Sequence, residues 1–246
     1  MSRKQGPAAV VFGAAGDIGA ELVRLFADTG MPVWTIDHVE PVAAGDRFIE
    51  MDFLALRDSD VDRRAQDLPY EISNVVSTIG GPAIREFGEG FHIPRLSVLD
   101  EVMRLNLISA FQILRMTLPV LRRTQGDRSV TFTSSINELG GYGAPAYSAA
   151  KAGLRGLVAE SGRALAPEGI RVNGVALGST ATSNAQAIRR ARGLPGSVED
   201  LGGRTARGAV LTAKEAAEAL YSVSLGPQIL SGQVVTCDYA QACRRP

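Results

Sequence analysis

The sequence predicts a doubly wound α/β fold, with one parallel sheet of about seven strands and helices on both of its faces. Three observations lead there. Short apolar runs alternate with longer stretches of helical period along the whole chain. No linker, internal repeat, heptad pattern or low-complexity tract interrupts it, so 1–246 reads as a single domain. Its 246 residues are 45% hydrophobic, which is enough to bury a sizeable core.

The elements follow in order. Ala8-Ala9-Val10-Val11-Phe12 is a short apolar strand. Glycines come next at Gly13, Gly16 and Gly19, and Ile18, Leu22, Leu25 and Phe26 then recur at helical spacing. Val33-Trp34-Thr35-Ile36 is a second strand that ends at Asp37. The glycine spacing alone would suit any strand-to-helix turn. With both strands and the acid it becomes the layout of a dinucleotide-binding unit. Free amides and the positive end of the helix dipole hold a pyrophosphate, and glycine lets the backbone come close. An acid about twenty residues on hydrogen-bonds a ribose 2′-hydroxyl and repels a 2′-phosphate. Asp37 therefore predicts NAD over NADP, and Asp17 within the turn adds a second charge unfavourable to extra phosphate. Gly13, Ala15, Gly16, Asp17, Ile18 and Gly19 are the candidate cofactor contacts of the turn.

Arg47 to Met51 is a third strand ending at Asp52, and Leu54 to Leu68 a weak, polar helix. Glu71 to Ser77 is a fourth strand, running into the breaker Thr78-Ile79-Gly80-Gly81-Pro82. Residues 82–96 read as a loop with one short helical turn, His92 lying on its surface. A long helix is expected from Ser97 as N-cap, with Val98, Val102, Leu105, Ile108, Leu114 and Leu118 on its stripe and Pro119 kinking or ending it. Ser129 to Ser134 is the fifth strand, 135–146 a loop and Ala146 to Leu165 the second long helix. Ile170 to Ala176 is the sixth strand. Region 178–212 lacks a strong period apart from a short helix near 184–192. A helix from Ala213 and a seventh strand, Gln233 to Cys237, complete the pattern. Ligands of such sheets bind at the carboxyl ends of the strands, so the loops at 13–19, 37–45, 77–96, 135–146 and 177–212 should line one cleft.

Composition sets outer bounds. The 26 basic and 26 acidic residues balance, and nothing in that balance calls for nucleic acid or a membrane surface as partner. Two cysteines, Cys237 and Cys243, are too few for a disulfide framework, and two histidines exclude a His-rich zinc site, so no metal is expected. No stretch reaches the roughly 18 apolar residues of a membrane span, and no signal peptide is visible. The expectation is a cytoplasmic protein acting on a small molecule.

Tyr147 and Lys151 are four apart near the start of a helix and project on one side. An ammonium beside a phenol stabilises the phenolate, and such a pair shuttles a proton to or from an alcohol. Ser134 and Ser135, at the end of the fifth strand, can supply a hydroxyl that holds the substrate oxygen. Ser134-Ser135-Ile136-Asn137 followed by Tyr147-Ser148-Ala149-Ala150-Lys151-Ala152-Gly153 resembles the active-site segment of the short-chain dehydrogenase/reductase family. Pro167 to Val175, Arg104-Leu105-Asn106-Leu107 and Gly232-Gln233-Val234 resemble further segments of it, so the likeness covers about residues 8 to 240. It implies a Rossmann fold and an NAD-dependent enzyme interconverting a secondary alcohol and a ketone by hydride transfer. By that resemblance Tyr147 is the general acid/base, Lys151 orients the nicotinamide ribose and lowers the tyrosine pKa, Ser135 positions the substrate oxygen, and Asn106 holds a water linked to Lys151. It also implies cofactor contacts from Asp52 and Phe53 near the adenine, from Gly80, and from Thr180 or Thr182 at the carboxamide.

The chain departs from the family's pattern in places. Phe12 replaces a usual threonine, and Asp17 stands where a glycine is common. Ser77-Thr78-Ile79-Gly80 replaces Asn-Asn-Ala-Gly, and Leu177-Gly178 replaces Pro-Gly. The interval from Ser135 to Tyr147 is one residue short, so Ser134 fits the usual count and Ser135 the strand end. A non-catalytic nucleotide-binding relative, or an isomerase or dehydratase working through transient oxidation, would use the same residues. Region 179–212 is the expected substrate lid. Its arginines read either as a positive mouth for a carboxylate or phosphate or as a solvated flap. Asn137, Glu138 and Tyr142 are candidates to touch the substrate or to serve as loop scaffold. The family implies a homodimer or homotetramer through the two long helices.

Overall fold

The computed structural model describes residues 6–43, 45–87, 93–140 and 142–244, and His92 lies outside them. Its strands are β1 (Ala8–Phe12), β2 (Val33–Asp37), β3 (Arg47–Glu50), β4 (Ile72–Ser77), β5 (Arg128–Ser135) and β6 (Ile170–Leu177), then β7 (Thr180–Ala181), β8 (Leu211–Thr212) and β9 (Val234–Cys237). Seven of them form one parallel sheet in the order β3-β2-β1-β4-β5-β6-β9, the predicted doubly wound architecture. The order reverses between β1 and β4, and the chain's cleft opens at the carboxyl ends of these strands.

The period of the strands sorts the core. Val10 and Phe12 of β1 face one side with Ile36 and Val75, where α4 (Ser109–Arg123) and α5 (Pro145–Leu165) cover them through Ile113, Met116, Leu154 and Val158. Ala9 and Val11 face the other side, under α1 (Asp17–Asp28) and α7 (Ala213–Ser224) through Leu22, Phe26, Ala217 and Leu220. Each such large side chain, fully buried, contributes roughly 1.5–3 kcal/mol against solvent exposure. Both faces of the sheet are therefore dry, as a parallel sheet requires.

Several element boundaries differ from the sequence reading. The N-cap expected at Ser97 falls two residues earlier, at the extended Arg95, and the helix is α3 (Leu96–Met103). It then passes through a π-helical stretch, Arg104–Ile108, before α4. Pro119 does not end α4, which runs on to Arg123. Its ring faces solvent, while Val120 and Leu121 beside it are buried and hold the last turn on the sheet. The weak helix at 54–68 shrinks to α2 (Asp58–Arg64) and a 3-10 turn, with Val61 as its one buried residue. Region 178–212 contains a small parallel ribbon, β7 with β8, and the lid helix α6 (Ser183–Ala191).

Candidate active site

The turn after β1 is shaped by close approach. A Cβ on Gly19 would stand 2.1 Å from the Gly13 carbonyl, so only glycine lets α1 begin tight against the turn. Gly16 caps α1 with no side-chain bond to the first amides of the helix, which suits a phosphate. Thr78, in the position where the family has asparagine, supports the turn from β4. Its hydroxyl donates to the Gly13 carbonyl at 2.9 Å, and its N–H to the Phe12 carbonyl at 2.8 Å. The Asp37 carboxylate, 7% exposed, accepts from the Ala15 N–H at 2.9 Å and from the His38 N–H at 2.7 Å. The acid expected at a ribose thus also braces the glycine turn.

Ser135, Tyr147 and Lys151 line the same cleft, a cavity of about 670 Å³, with Gly13, Ala15, Gly16, Asp17, Ile18, Gly19, Asp37, Gly80, Thr180 and Thr182. Asp52 and Phe53 do not line it. Asp52 is exposed and accepts from the Leu54 N–H, and Phe53 packs edge-on against Phe12 at 5.8 Å in the core. A phenyl ring that continues the buried face of β1 gains more there than at a wet cleft. Thr180 donates to the Gly178 carbonyl at 3.0 Å, and Thr182 caps α6 by accepting from the Ala185 N–H at 3.2 Å.

Lys151 is 1% exposed, and its Nζ donates to the Thr133 carbonyl at 2.8 Å. Burial lowers its pKa to about 7, with the Glu138 carboxylate acting in the opposite direction. Nζ also stands 5.5 Å from the centre of the Tyr147 ring. The phenol does not follow the expected direction. Burial pushes Tyr147 up to about 12, Ser135 pulls it back by a hydroxyl interaction, and the Glu86 charge raises it further. A lysine that has itself lost much of its affinity for a proton is a weak source of positive field.

Asn106 sits on the π-helical stretch, 2% exposed, behind the cleft rather than on its wall. Its amide grips both backbone polar groups of Gly81. Oδ1 accepts from the Gly81 N–H, and Nδ2 donates to the Gly81 and Val102 carbonyls, each at 2.9 Å. Both amide hydrogens are bonded to protein, so in this form the side chain positions the loop after β4. Gly80 has to be glycine here: its φ is +140°, and a Cβ would stand 2.4 Å from Asn106 Oδ1 and 3.1 Å from Lys151 Nζ.

The two serines have different surroundings. Ser135 exchanges hydrogen bonds with Asn137, donating to Oδ1 at 3.1 Å and accepting from the N–H at 3.2 Å, and it is the one that acts on Tyr147. Ser134, 2% exposed, donates to Glu138 Oε2 at 2.7 Å.

Two carboxylates complete the site. Glu138, among the candidates for substrate contact, instead has a buried side chain that accepts from Ser134 and from Arg155 at 2.6 Å. It ties the turn carrying Ser135 to α5, which carries Tyr147 and Lys151. Asn137 lines the cleft, whereas Tyr142 is half-buried outside its lining. Glu86 is fully buried and accepts from the Tyr147 N–H at 2.7 Å, supplying a carboxylate to the amide end of α5, whose N-cap Ala144 makes no side-chain bond. Sequence reasoning missed Glu86, because its partner is 61 residues away and no local pattern links them.

Among the described residues, no group of three or more His, Cys, Asp or Glu is arranged to hold a metal, and no helix is long and apolar enough to cross a membrane. A doubly wound sheet with a glycine turn, a buried acid after β2 and a Ser-Tyr-Lys group on one cleft defines a class of nucleotide-dependent oxidoreductases. Residues 7–193 match the family model described as short chain dehydrogenase. The Arabidopsis thaliana protein named Short-chain dehydrogenase reductase 3a is 29% identical, over 99% of this chain and 98% of its own. L-fucose dehydrogenase of Rattus norvegicus is 30% identical, over 73% of this chain and 68% of its own. The solved structure of Thermoplasma acidophilum aldohexose dehydrogenase superimposes with a TM-score of 0.83 at 19% identity, over 98% of this chain and 96% of that one, a likeness of fold alone. The chain belongs to the short-chain dehydrogenase/reductase family of oxidoreductases, whose members typically use a nicotinamide cofactor.

Proposed function

We propose that this protein is an NAD(H)-dependent oxidoreductase that interconverts a secondary alcohol and a ketone, with Tyr147 as general acid/base. The observation that carries the reading is the shared cleft: Ser135, Tyr147 and Lys151 line it together with the glycine turn and Asp37. The uncapped amides of α1 and the buried Asp37 suit a pyrophosphate and an unphosphorylated ribose. A nicotinamide dinucleotide bound there supplies or takes up the hydride. Tyr147 gives its proton to the substrate oxygen during reduction and removes it during oxidation. Ser135 holds that oxygen, and Lys151, with a pKa of about 7, exchanges protons readily near neutrality. The curated and solved relatives named for sugars fit a hydroxyl-bearing substrate.

Replacing Tyr147 by Phe should lower kcat by about 10²–10⁴ while NADH still binds, measured by cofactor-linked turnover and by fluorescence titration. Undiminished turnover in that variant would remove Tyr147 from its role. NADP⁺ binding tighter than NAD⁺ would overturn the argument from Asp37. The reading includes a cytoplasmic enzyme that works on a small molecule, not on nucleic acid or a membrane, and that assembles as a homodimer or homotetramer through α4 and α5.

A further inference from the structure

The cleft continues past Tyr147 beneath the lid, where Pro82, Ile188, Val198 and Leu201 line it together with Arg189. Several arginines of the fold are matched with acids, as Arg104 is with Asp100, Arg115 with Asp62, Arg122 with Glu168 and Arg171 with Asp127, whereas Arg47 and Arg123 lie over Trp34 and Tyr70. Arg189, Arg190 and Arg192 have no carboxylate within ion-pair distance among the described residues. Arg190 and Arg192 are exposed, and Arg189 is half-buried. The Arg192 guanidinium stacks over Phe87, 3.8 Å from the ring centre, and its pKa is lowered by burial and by the neighbouring charge of Arg189. Arg189 donates from Nη2 to the Pro195 carbonyl at 2.5 Å, and its buried Nε–H has no acceptor.

A half-buried cation on the cleft wall, with a second cation beside it and no counter-charge, is opposed by that neighbour, and an anion in the cleft next to Arg189 relieves the repulsion. The cofactor's phosphates belong at the glycine turn, whose Asp17 and Asp37 line the same cleft. We propose that the substrate carries an anionic oxygen group, a carboxylate or a phosphate, remote from its reacting carbon, and that Arg189, backed by Arg192, receives that group at the lid end of the cleft. The assignment of this group to a substrate rests on the oxidoreductase reading above. The lid then discriminates by charge, since closing it over a neutral analogue leaves the guanidiniums uncompensated.

The test has a binding arm and a turnover arm, both on the full chain. Oxalate and inorganic phosphate are titrated calorimetrically into the parent protein and into the variants Arg189→Met, Arg192→Met and Arg190→Met. At least one anion should bind the parent, Arg189→Met should weaken it by about tenfold or more, and exposed Arg190→Met should leave it unchanged. Tighter binding of oxalate identifies a carboxylate site, and tighter binding of phosphate a phosphate site. For turnover, 4-oxo and 5-oxo acids are compared with their methyl esters, and galacturonate with galactose. The anion should be preferred by about tenfold or more in kcat/KM, and Arg189→Met should erase the preference through KM with kcat nearly kept. The proposal is overturned if neither anion binds the parent, if Arg189→Met and Arg190→Met bind alike, or if the neutral partners are preferred. Turnover that survives Tyr147→Phe would instead defeat the catalytic reading, while the binding arm still decides the anion site.

Discussion

Lys151 stands between two opposing fields. Burial lowers its pKa to about 7, and the Glu138 carboxylate, held by Ser134 and by Arg155, acts to raise it. Glu138 is therefore a positioning residue for the charge of Lys151, with Arg155 setting how much of its field reaches the ammonium. The sign follows from that. A step that needs protonated Lys151 fails as pH rises through the lysine pKa, so Glu138→Gln should move the alkaline limb of kcat/KM toward lower pH, by about one unit. Arg155→Met removes the competing cation and should move the same limb toward higher pH. Shifts in the same direction, or none in either variant, would leave Glu138 with a purely structural role. Gln keeps an acceptor for the Ser134 hydroxyl, so the first variant changes charge more than shape.

At the scale of elements, α6 is fastened to the glycine turn. The Asp17 carboxylate, at the first turn of α1, accepts from the Ser183 N–H at the start of α6 at 2.5 Å. A carboxylate there also opposes a pyrophosphate at the same helix end. Asp17→Ala should tighten NADH binding by about fivefold, roughly 1 kcal/mol, and speed proteolytic cleavage between 183 and 210 in the free enzyme. Weaker NADH binding in the variant would show that Asp17 helps to hold the cofactor. A second fastening lies at the far end of the sheet. Arg171, 1% exposed in β6, donates to the Val223 and Ser224 carbonyls that end α7, and pairs with Asp127 at 2.9 Å. Asn74 and Ser129 donate to the same Ser224 carbonyl, so β4, β5 and β6 all hold one helix terminus. Arg171→Met would remove the charged hydrogen bonds to those carbonyls and the pair with Asp127, and should cost about 2–4 kcal/mol in denaturant unfolding. A loss below 0.5 kcal/mol, roughly that of a surface substitution, would contradict this account.

Over the whole molecule, α4 and α5 carry the surface proposed above for self-association. Phe111 is 53% exposed and Ile108, just before α4, is 37% exposed. The outward face of α5 shows Ala149, Ala152, Gly156 and Ala159, all small and exposed, and a Cβ on Gly156 would meet nothing within 4 Å. Small residues beside exposed apolar ones allow close helix-to-helix approach across a two-fold axis. Phe111→Arg should convert a dimer or tetramer to a smaller species in light scattering behind size exclusion, with secondary structure unchanged by circular dichroism. A parent protein that is already monomeric, or a variant of unaltered mass, would exclude this face. Near-zero formal net charge, from 26 basic and 26 acidic residues, gives little long-range repulsion against such association.

By itself the sequence determined the parallel sheet, the glycine turn with its acid, and the Ser-Tyr-Lys group. These are written in contiguous stretches: alternation of apolar runs, three glycines before a helical stripe, and a Tyr-Lys pair one turn apart. Some sequence choices went the other way because packing overrode a local rule. Pro119 stays within α4 because Val120 and Leu121 are buried beyond it, and Phe53 leaves the cleft for the core beside Phe12. Only the tertiary structure decided which charges face which. Glu86 reaches Tyr147 across 61 positions, Glu138 turns inward to Ser134 and Arg155, Asp17 meets Ser183 across 166, and two lid arginines stand together without an acid. Periodicity reports which side of an element is buried, and it carries no information about the partner a buried charge meets after the chain has folded back on itself.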